Sequence, residues 1–344
     1  MSNISLEAEE VKSIILNFAI EVQRQIPFNF NKKKKRVIVI SGPTCSGKSK
    51  LAMDLAQAIG GEIVSADSMQ VYRHMDIGTA KASVEERLLV PHHLIDVRDI
   101  HESFNVVDFY YEAMQACREI LDRGSVPIIA GGSGFYLHAL LYGPPSGPPS
   151  VPELRRALEK ELEQVGAEVL YDRLMQLDMK YAKSISKNDK QKIVRALEII
   201  TLTNKKVSKM NWRGRSKPPS YEFLCWFLYR PREKLYERID KRCEKMLHDG
   251  FLEEVQWLQE RGLLDNPSAA QAIGYRQTLD YLRTHQSDSE YENFVKKFKQ
   301  ATRHYAKRQE TWFRKEDLFR WIDVDLHDHE TVFDIIKKDY ERLP

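Results

Sequence analysis

Short apolar runs alternate with amphipathic stretches along the first part of the chain. Four runs are typical of buried strands: Val37–Ile40, Glu62–Ser65, His93–Asp96 and Val126–Ala130. Helical patterns lie between them, the clearest over residues 107–122. Because strands that alternate with helices form parallel sheets, this pattern predicts an α/β core with ligands at the carboxyl ends of its strands.

Proline- and glycine-rich segments divide the chain into regions. The first, residues 143–152, precedes a helical pattern that continues to about Lys209, and the second, residues 217–220, precedes a strand-like run over 222–229. We therefore predict a small helical insertion domain within the core. The predicted regions are an N-terminal extension (1–35), an α/β core with C-terminal helices and a late strand at 319–323 (36–144 and 221–325), the insertion domain (145–220) and a C-terminal tail (326–344).

Composition restricts the classes of function. The 344 residues carry 53 Lys and Arg against 50 Asp and Glu, a net charge of +3, so a nucleic-acid partner must be met by a local basic patch. The basic run Lys32–Arg36 is more typical of a solvent-exposed segment that leads into the first strand than of an RNA-binding arm. No apolar stretch approaches the ~18 residues of a membrane span and no secretion signal is evident, which predicts a cytoplasmic protein.

The cysteines exclude two further kinds of site. The four, at positions 45, 117, 225 and 243, are far apart and form no C-x-x-C pair. This spacing argues against a disulfide framework and against a structural zinc site.

A phosphate-binding loop (P-loop) follows the first predicted strand. Its eight residues are Gly42, Pro43, Thr44, Cys45, Ser46, Gly47, Lys48 and Ser49, and a helical pattern comes next. The glycines allow successive backbone N–H groups to converge on a phosphate at the positive end of the helix dipole. Lys48 would reach the terminal phosphate, and the Ser49 hydroxyl would hold Mg²⁺. Cys45 in this loop is either a reactive thiol or an inert small residue, and both interpretations stay open.

Three further segments carry polar groups at predicted strand ends or in nearby loops. Asp67 follows the second strand, where it can accept a proton, hold Mg²⁺ or serve as a turn residue. The segment Asp76–Lys81 brings a glycine, a hydroxyl and a cation into one loop. The segment Gly131–Gly134 has so few side-chain atoms that its backbone permits close approach of a ligand.

The predicted helix over residues 291–314 has two different sides when turned at ~100° per residue. Aromatic and small residues gather on one side: Phe294, Phe298, Ala301, Tyr305 and Trp312. Cations gather on the other, with Lys299 at its edge: Lys296, Arg303, Lys307 and Arg314. The basic side fits either a track for an RNA backbone or a mixed solvated face. A smaller basic face, Arg238, Arg242 and Lys245, lies on the helix that begins near Arg232.

Taken together, the ordered motifs identify the chain as similar to one family. The matching segments are Gly42–Ser49, Ser65–Ser68, Met75–Lys81, His92–Asp96, Gly131–Gly134, Asn188–Asp189, Arg195–Glu198, Ile273–Tyr275 and Ala306–Arg314. In this set and order the chain resembles the bacterial tRNA dimethylallyltransferases, which implies a P-loop NTPase-like fold. It departs from the usual pattern at Cys45, Ala82, Ser133, Lys190 and Lys192, and nothing after Asp323 resembles the zinc finger of eukaryotic members.

The resemblance implies a reaction and its participants. The dimethylallyl group of dimethylallyl diphosphate would pass to the exocyclic amine of adenine 37, beside the anticodon of tRNAs that read codons beginning with U. N6-isopentenyladenosine would form and diphosphate would leave. The P-loop would hold that diphosphate together with Mg²⁺, the insertion domain would grip the anticodon stem-loop, and the protein would act as a monomer away from membranes.

The resemblance also implies roles for single residues. Asp67 would be the general base, Lys48 would act on the diphosphate, and Arg242 would lie in the reaction channel. Contacts with tRNA carry over to Asp67, Ser68, Met69, Gln70, Ser133, Arg155, Gln191, Lys192, Ile193, Val194, Arg195, Gln271, Ala272, Ile273, Gly274, Tyr275 and Arg276. The basic side of the late helix would add Arg303, Lys307 and Arg314.

Two other functions fit parts of the same pattern. A small-molecule or nucleotide kinase would use the P-loop and treat Asp67 as the base for a substrate hydroxyl, but no arginine-rich lid is evident near the loop. A non-catalytic RNA-binding NTPase module would leave Asp67 and the second glycine loop without a role. Incubation with dimethylallyl diphosphate, ATP and unmodified tRNA distinguishes the three.

Overall fold

The computed structural model describes residues 35–145, 147–210 and 221–342, and it divides the chain into two units. The larger unit contains the described residues up to 143 and those from 221 onward, and the smaller contains the rest. Nearly all of the predicted N-terminal extension, with most of the basic run, and the second proline-rich break lie outside the described residues. Within the described part of the chain, no helix is long and apolar enough to cross a membrane.

The larger unit is built on a parallel sheet of six strands. Their order in the sheet is β3-β2-β4-β1-β5-β6, and every pairing is parallel. The strands are β1 (Lys35–Ser41), β2 (Gly61–Ser65), β3 (His92–His93), β4 (Val126–Ala130), β5 (Tyr221–Tyr229) and β6 (Arg320–Asp323). The prediction of an α/β fold with a parallel sheet is confirmed.

One strand is shorter than its pattern predicts. The apolar run at 93–96 was expected to be extended, but β3 ends at His93. Leu94 and Asp96 have positive φ values of 62° and 56°, which a strand does not allow. The Asp96 carboxylate instead accepts hydrogen bonds from Lys81 and Arg87, both at 2.6 Å. The local strand preference at residues 94–96 is thus overridden in the folded chain, where Asp96 is held by two ion pairs.

Both faces of the sheet are buried, which explains the continuous apolar run in β1. Val37 and Val39 belong to the hydrophobic cluster on one face, and Ile38 and Ile40 to the cluster on the other. All four side chains are fully buried. A strand covered on two sides has no polar alternation, as is usual in parallel sheets.

Helices cover both faces. The helices of the larger unit are α1 (Lys48–Ile59), α2 (Val84–Leu89), α3 (Val106–Asp122) and α4 (Gly134–Tyr142), then α8 (Arg232–His248), α9 (Phe251–Gln259), α10 (Pro267–Ala270), α11 (Tyr275–Leu282), α12 (Asp288–Phe313) and α13 (His329–Glu341). A 3₁₀ turn, Leu263–Asp265, precedes α10. The long basic helix expected at 291–314 is α12.

The last helix changes the interpretation of the C-terminus. Residues 326–344 were predicted to be a tail, but they include α13, which contacts α1 and β5. Val332 and Ile336 are buried in the same cluster as Ile38 and Leu51. Their spacing of four residues places both on one face of α13, so this helix belongs to the core.

The smaller unit is helical. Its helices are α5 (Pro152–Leu177), α6 (Met179–Ala182) and α7 (Lys190–Thr203), followed by a 3₁₀ turn (Val207–Lys209). Helix α5 is kinked at Gly166, where φ is 84°. Leucines of α5 pack against Ile193, Leu197 and other residues of α7 to form a separate hydrophobic core. The limits of this unit lie close to the 145–220 predicted for the insertion domain.

Candidate active site

The P-loop connects β1 to α1, and its backbone requires glycine at Gly42. There φ is 154°, and a Cβ would lie 2.7 Å from both the Leu228 carbonyl oxygen and the Ser46 Oγ. Gly47, with φ 101°, precedes the first residue of α1. Cys45 also adopts a positive φ, 66°, and Arg238 donates a hydrogen bond to its carbonyl oxygen at 3.1 Å. The loop is therefore tightly curled and held from outside.

Lys48 lies across its own loop. Its ammonium group donates a hydrogen bond to the Pro43 carbonyl oxygen at 2.7 Å. Burial and the positive charge of Arg242 together lower the pKa of Lys48 to about 8, against the opposing influence of Cys45 and Asp67. A bound anion would stabilise the charged form and raise this pKa again. The protonation of the Lys48 side chain is thus sensitive to a bound phosphate group.

Gln309 of α12 connects the two glycine loops. Its Oε1 accepts a hydrogen bond from the Thr44 backbone N–H at 2.9 Å, and its Nε2 donates one to the Gly132 carbonyl oxygen at 3.0 Å. A second connection runs from the Ser41 hydroxyl to the Gly131 carbonyl oxygen at 2.9 Å. Gln309 lies in the motif Ala306–Arg314, but sequence reasoning gave it no role.

The second glycine loop lacks side chains for a different reason from the one predicted. Close approach of a ligand was expected at Gly131–Gly134. In the structure a Cβ at Gly132 would overlap the Gln309 amide, one at Gly131 would overlap the Ala66 carbonyl group, and one at Gly134 would lie 2.6 Å from Trp312 Nε1. These glycines make room for neighbouring parts of the protein.

Asp67 serves as a turn residue, one of the three roles considered for it, and it also lines a cavity. Its Oδ1 accepts hydrogen bonds from the backbone N–H groups of Met69 (2.8 Å) and Gln70 (3.3 Å), as a turn aspartate does. The adjacent Ser68 N–H donates to the Ser133 hydroxyl at 3.3 Å. Asp67 also lines a cavity, so a carboxylate with a fixed direction faces a space that can hold a substrate.

This cavity gathers several of the predicted site residues. Its volume is about 370 Å³. Its walls come from the P-loop, the segments after β2, and helices α8, α11 and α12. The lining residues are Thr44, Asp67, Ser68, Met69, Gly78, Thr79, Arg242, Cys243, Met246, Ser268, Gln271, Ala272, Ile273, Tyr275, Phe298, Thr302, Tyr305 and Arg308. The strand ends and the last helices thus place a carboxylate and cations around one space.

Four residues of α12 line the cavity, and two of them, Tyr305 and Arg308, bring a hydroxyl and a cation that sequence reasoning did not assign to the site. Arg308 adds a second guanidinium to that of Arg242. Burial and the charge of Asp67 raise the pKa of Tyr305, which also interacts with the Ser133 hydroxyl. The side of α12 that the pattern marked as apolar therefore packs in the core at Phe294 and lines the cavity at Tyr305. Its far end leaves Trp312 exposed.

The loop at 76–81 does not present its cation to the cavity. The Lys81 side chain is only 2% exposed, and its ammonium group binds the carboxylates of Asp76 and Asp96. It also donates to the Tyr72 carbonyl oxygen at 2.8 Å. Lys81 therefore holds the loop in place, and Gly78 and Thr79 are the residues of this loop that line the cavity.

Ion pairs modify the predicted basic side of α12. Arg303 forms a two-point ion pair with Asp240 of α8, and Arg314 pairs with Glu310 on the same helix. Lys299 pairs with Glu244 at 2.6 Å. Lys307 is exposed and has no ion-pair partner among the described residues. The side is a mixed face, on which Lys296 and Lys307 have no ion-pair partner in the part of the chain that the structure describes.

The predicted tRNA contacts of the smaller unit differ in exposure. Ile193 and Val194 are buried in its core, so their side chains stabilise α7. Arg195 donates to the buried carboxylate of Glu198 at 2.6 Å and to the Pro148 carbonyl oxygen. Gln191 and Lys192 are exposed on α7 and Arg155 is partly exposed on α5, the last in an ion pair with Glu159. Exposed contacts are thus available at Arg155, Gln191 and Lys192.

The segment 271–276 contributes to the cavity wall through four residues, Gln271, Ala272, Ile273 and Tyr275. Gly274 has φ 89°, and a Cβ there would lie 2.9 Å from Phe298 and 3.0 Å from Phe251. Tyr275 is fully buried, and Arg276 is exposed. The glycine allows the chain to turn into α11 with the tyrosine directed inward.

Comparison with known proteins decides the family. The family model described as IPP transferase matches residues 70–316. The chain belongs to the IPP transferase family. Among curated members, the tRNA dimethylallyltransferase of Protochlamydia amoebophila (strain UWE25) is 70% identical over 343 residues and 100% of both chains. That of Chlamydia pneumoniae is 50% identical over 309 residues, 89% of this chain and 90% of the relative.

Solved structures of IPP transferases agree with this assignment. The full-length tRNA isopentenylpyrophosphate transferase of Bacillus halodurans is 37% identical, with a TM-score of 0.65 over 89% of this chain and 96% of that chain. A eukaryotic dimethylallyltransferase acting on tRNA is 30% identical, with a TM-score of 0.73 over 90% and 80%. The family resemblance inferred from the motifs is confirmed, and with it the P-loop NTPase-like fold.

Proposed function

We propose that this protein transfers the dimethylallyl group of dimethylallyl diphosphate to the exocyclic amine of adenine 37 in tRNA. The observation that carries the proposal is the cavity in which Asp67 and Arg242 meet the P-loop residue Thr44, in a chain whose relatives are named tRNA dimethylallyltransferases. The tRNAs would be those that read codons beginning with U. The protein would act as a monomer and in the cytoplasm, where its tRNA substrate is found.

The phosphate side of the site would stabilise the leaving group. As the bond between the allylic carbon and the diphosphate oxygen breaks, negative charge grows on the diphosphate. Backbone N–H groups of the P-loop, Lys48 and Arg242 would stabilise that charge; Thr44 of the P-loop and Arg242 line the cavity, and the positive charge of Arg242 acts on Lys48. The pKa of Lys48, although lowered to about 8, is still above neutral pH, so the lysine is charged there. Its ammonium group would gain an anionic partner when the diphosphate binds.

A magnesium ion fits this arrangement. Ser49 is exposed at the second residue of α1, directly beside Lys48. The described residues contain no cluster of three or more His, Cys, Asp or Glu that could hold a metal ion. Mg²⁺ does not require one, since it usually keeps several waters and binds one or two protein groups together with substrate phosphates. Ser49 would hold the ion, which would neutralise part of the diphosphate charge.

Asp67 would act on the acceptor. The lone pair of the exocyclic amine is delocalised into the adenine ring, so the amine must lose a proton as the new N–C bond forms. Asp67 takes that proton, a contribution of roughly 10²- to 10⁴-fold for a positioned base. Its fixed Oδ1 keeps the carboxylate directed at the cavity. The electron pair of the broken C–O bond leaves with the diphosphate.

The adenine must leave the anticodon loop to reach this cavity. Extruding a base costs a few kcal/mol and requires that the RNA be held on either side. Exposed polar residues of the smaller unit, such as Gln191 and Lys192, would grip the anticodon stem-loop. Residues 271–276 and the exposed Lys307 would contact the RNA near the cavity.

A single incubation tests the proposal. Purified protein is mixed with unmodified tRNA, Mg²⁺ and either dimethylallyl diphosphate or ATP, and the tRNA nucleosides are analysed by mass spectrometry. We expect N6-isopentenyladenosine with dimethylallyl diphosphate and no nucleotide hydrolysis with ATP. Hydrolysis of ATP or phosphate transfer from it, without prenylated adenosine, would overturn the proposal in favour of a kinase or NTPase.

A further inference from the structure

One carboxylate outside the cavity organises its wall. Glu254 of α9 accepts hydrogen bonds from three successive backbone N–H groups. Those of Asp76 and Ile77 donate to Oε2 at 2.9 Å and 2.6 Å, and that of Gly78 donates to Oε1 at 3.1 Å. Successive N–H groups that converge in this way form an anion-binding concavity. Here the anion belongs to the protein, so these N–H groups are not available to a substrate phosphate.

The same carboxylate also fixes a tyrosine. The Tyr275 hydroxyl donates to Glu254 Oε1 at 2.6 Å. Burial and the neighbouring Glu254 charge raise the pKa of Tyr275, so it remains a hydrogen-bond donor. Both Gly78 and Tyr275 line the cavity, whereas Glu254 does not. Glu254 therefore connects two separate segments of the cavity wall.

The packing of these segments leaves no room for adjustment. A Cβ at Gly78 would overlap the Phe251 ring and would lie 2.6 Å from the Tyr275 ring. Phe251 and Tyr275 meet edge to face, with ring centroids 5.1 Å apart. The loop at Gly78 is therefore packed directly against two rings, one of which, Tyr275, lines the cavity.

A chain of hydrogen bonds continues from this wall to the proposed base. The Gln70 side-chain amide donates to the Thr79 carbonyl oxygen at 3.2 Å, one residue beyond Gly78. The Gln70 backbone N–H donates to Asp67 Oδ1 at 3.3 Å. The P-loop is tied instead to Gln309 and Arg238. Among the described residues, the hydrogen bonds of Glu254 thus act on the acceptor side of the cavity and not on the phosphate side.

We propose that Glu254 is a positioning residue for the acceptor adenine. It fixes the wall formed by Gly78, Thr79 and Tyr275 and, through Gln70, the direction of the Asp67 carboxylate. The inference rests on the proposed function, because it concerns the rate of transfer to an acceptor base. Misplacement of reacting groups by ~1 Å can cost about 10²-fold in rate.

The test uses Glu254→Gln, with Glu253→Gln as the matched control. A glutamine has one acceptor oxygen, so it cannot accept hydrogen bonds on two oxygens as Glu254 does. Its NH₂ group would face backbone N–H or hydroxyl donors instead. Glu253 is the neighbouring acidic residue and is exposed. We expect the single-turnover rate constant of prenyl transfer to fall by about 10- to 100-fold in Glu254→Gln and to stay unchanged in Glu253→Gln. The dissociation constant for inorganic pyrophosphate should stay within about twofold in both.

A second variant separates positioning from general loss of structure. Tyr275→Phe removes one of the four bonds to Glu254 and should lower the rate constant less than Glu254→Gln does. In the double variant the losses should be less than additive, because both substitutions break the same contact. The rate constant of Tyr275→Phe tests the proposal even where Glu254→Gln yields little folded protein. Transfer by Tyr275→Phe at the wild-type rate would overturn the proposal.

Three further outcomes are decisive. An unchanged rate constant in folded Glu254→Gln would overturn the inference and leave the proposed function standing. An equal loss of pyrophosphate affinity would show a general structural role and would also overturn it. A wild-type protein that forms no prenylated adenosine would overturn the proposed function and the inference together.

Discussion

The backbone N–H of Thr44 donates a hydrogen bond to the side chain of Gln309 at 2.9 Å. An N–H group of the P-loop is therefore committed to a residue of α12 and not to the substrate. The same side chain holds the Gly132 carbonyl oxygen at 3.0 Å. The shape of the phosphate site is thus set by a helix that also supplies Tyr305 and Arg308 to the cavity.

Replacing Gln309 should weaken binding of the diphosphate. In Gln309→Leu the Thr44 N–H and the Gly132 carbonyl group lose their partner, and an unsatisfied buried group costs about 1–3 kcal/mol. We expect the pyrophosphate dissociation constant to rise by roughly tenfold, measured by isothermal titration calorimetry. Gln300→Leu is the control, because Gln300 is exposed on the same helix. Equal affinities for the two variants would contradict the role given to Gln309.

Lys48 should give the binding of pyrophosphate a characteristic pH dependence. Its pKa is lowered to about 8 in the free protein, and a bound anion raises it. Above pH 8 binding should therefore take up a proton at Lys48, and affinity should fall as the pH rises. Calorimetry at pH 9 in two buffers of different ionisation enthalpy measures this uptake. In Lys48→Arg the side chain stays charged, so the uptake should be lower, while the ionisation of the ligand is common to both proteins.

The same shift predicts a change in stability. A lysine whose folded pKa lies below its unfolded value binds more protons in the unfolded state between about pH 8 and 10.5. The free energy of unfolding of the wild type, relative to that of Lys48→Met, should therefore rise with pH across this window. Denaturant titrations at pH 7.5 and pH 10 measure it. A difference that falls over that interval would show that Lys48 is not buried as described.

Asp67→Asn provides a cleaner test of the base than Asp67→Ala. Asparagine keeps an oxygen that can accept the N–H groups of Met69 and Gln70, so the turn survives while the proton acceptor is lost. We expect the single-turnover rate constant to fall by about 10² or more, with a much smaller change in tRNA affinity. Transfer at nearly the wild-type rate in this variant would remove Asp67 from the mechanism.

Alkylation should occur first at Cys45. Cys117, Cys225 and Cys243 are buried, and burial raises their pKa values to about 12, 12 and 11. Cys45 is partly exposed within the P-loop. A thiol alkylator should inactivate the enzyme, pyrophosphate should protect it, and Cys45→Ala should be active and resistant. Peptide mass spectrometry locates the modification, and labelling of the other cysteines with Cys45 intact would refute this prediction.

The cations of α12 should contribute unequally to RNA binding. Asp240 neutralises Arg303, whereas Lys307 has no ion-pair partner among the described residues. In Lys307→Ala the slope of log K against log salt for tRNA binding should fall by about one phosphate contact. In Arg303→Ala the change of slope should be smaller. Filter-binding assays over a range of salt concentrations compare them, and an unchanged slope in Lys307→Ala would assign this face to solvation alone.

Local patterns in the sequence predicted the parts of the site that lie close together along the chain. The apolar run before Gly42, the P-loop itself and the helix after Lys48 are encoded in about 25 consecutive residues, because hydrophobic burial and glycine conformation act locally there. The strand ends that carry Asp67 and Gly131 were found for the same reason.

Long-range contacts were not predictable in this way. The bonds from Gln309 to Thr44 and from Glu254 to the loop at 76–78 join residues far apart in the sequence, and a glutamine or glutamate on a helix carries no local signal of its partner. The pairing of Lys81 with Asp96 likewise joins a loop cation to a residue just beyond the end of β3, and the local apolar pattern gave no sign of it. In each case the tertiary environment, and not the residue type, decided the role.

The pairing of β1 with β5 has a consequence for synthesis of the chain on the ribosome. β1 lies between β4 and β5 in the sheet, and its residue Lys35 pairs with Tyr221. The nascent chain therefore carries the P-loop sequence long before its second neighbouring strand exists. The Leu228 carbonyl group that confines Gly42 and the Gln309 side chain that holds Thr44 emerge later still. A protein truncated just before residue 309 would contain the complete phosphate-binding motif without the side chain that holds Thr44.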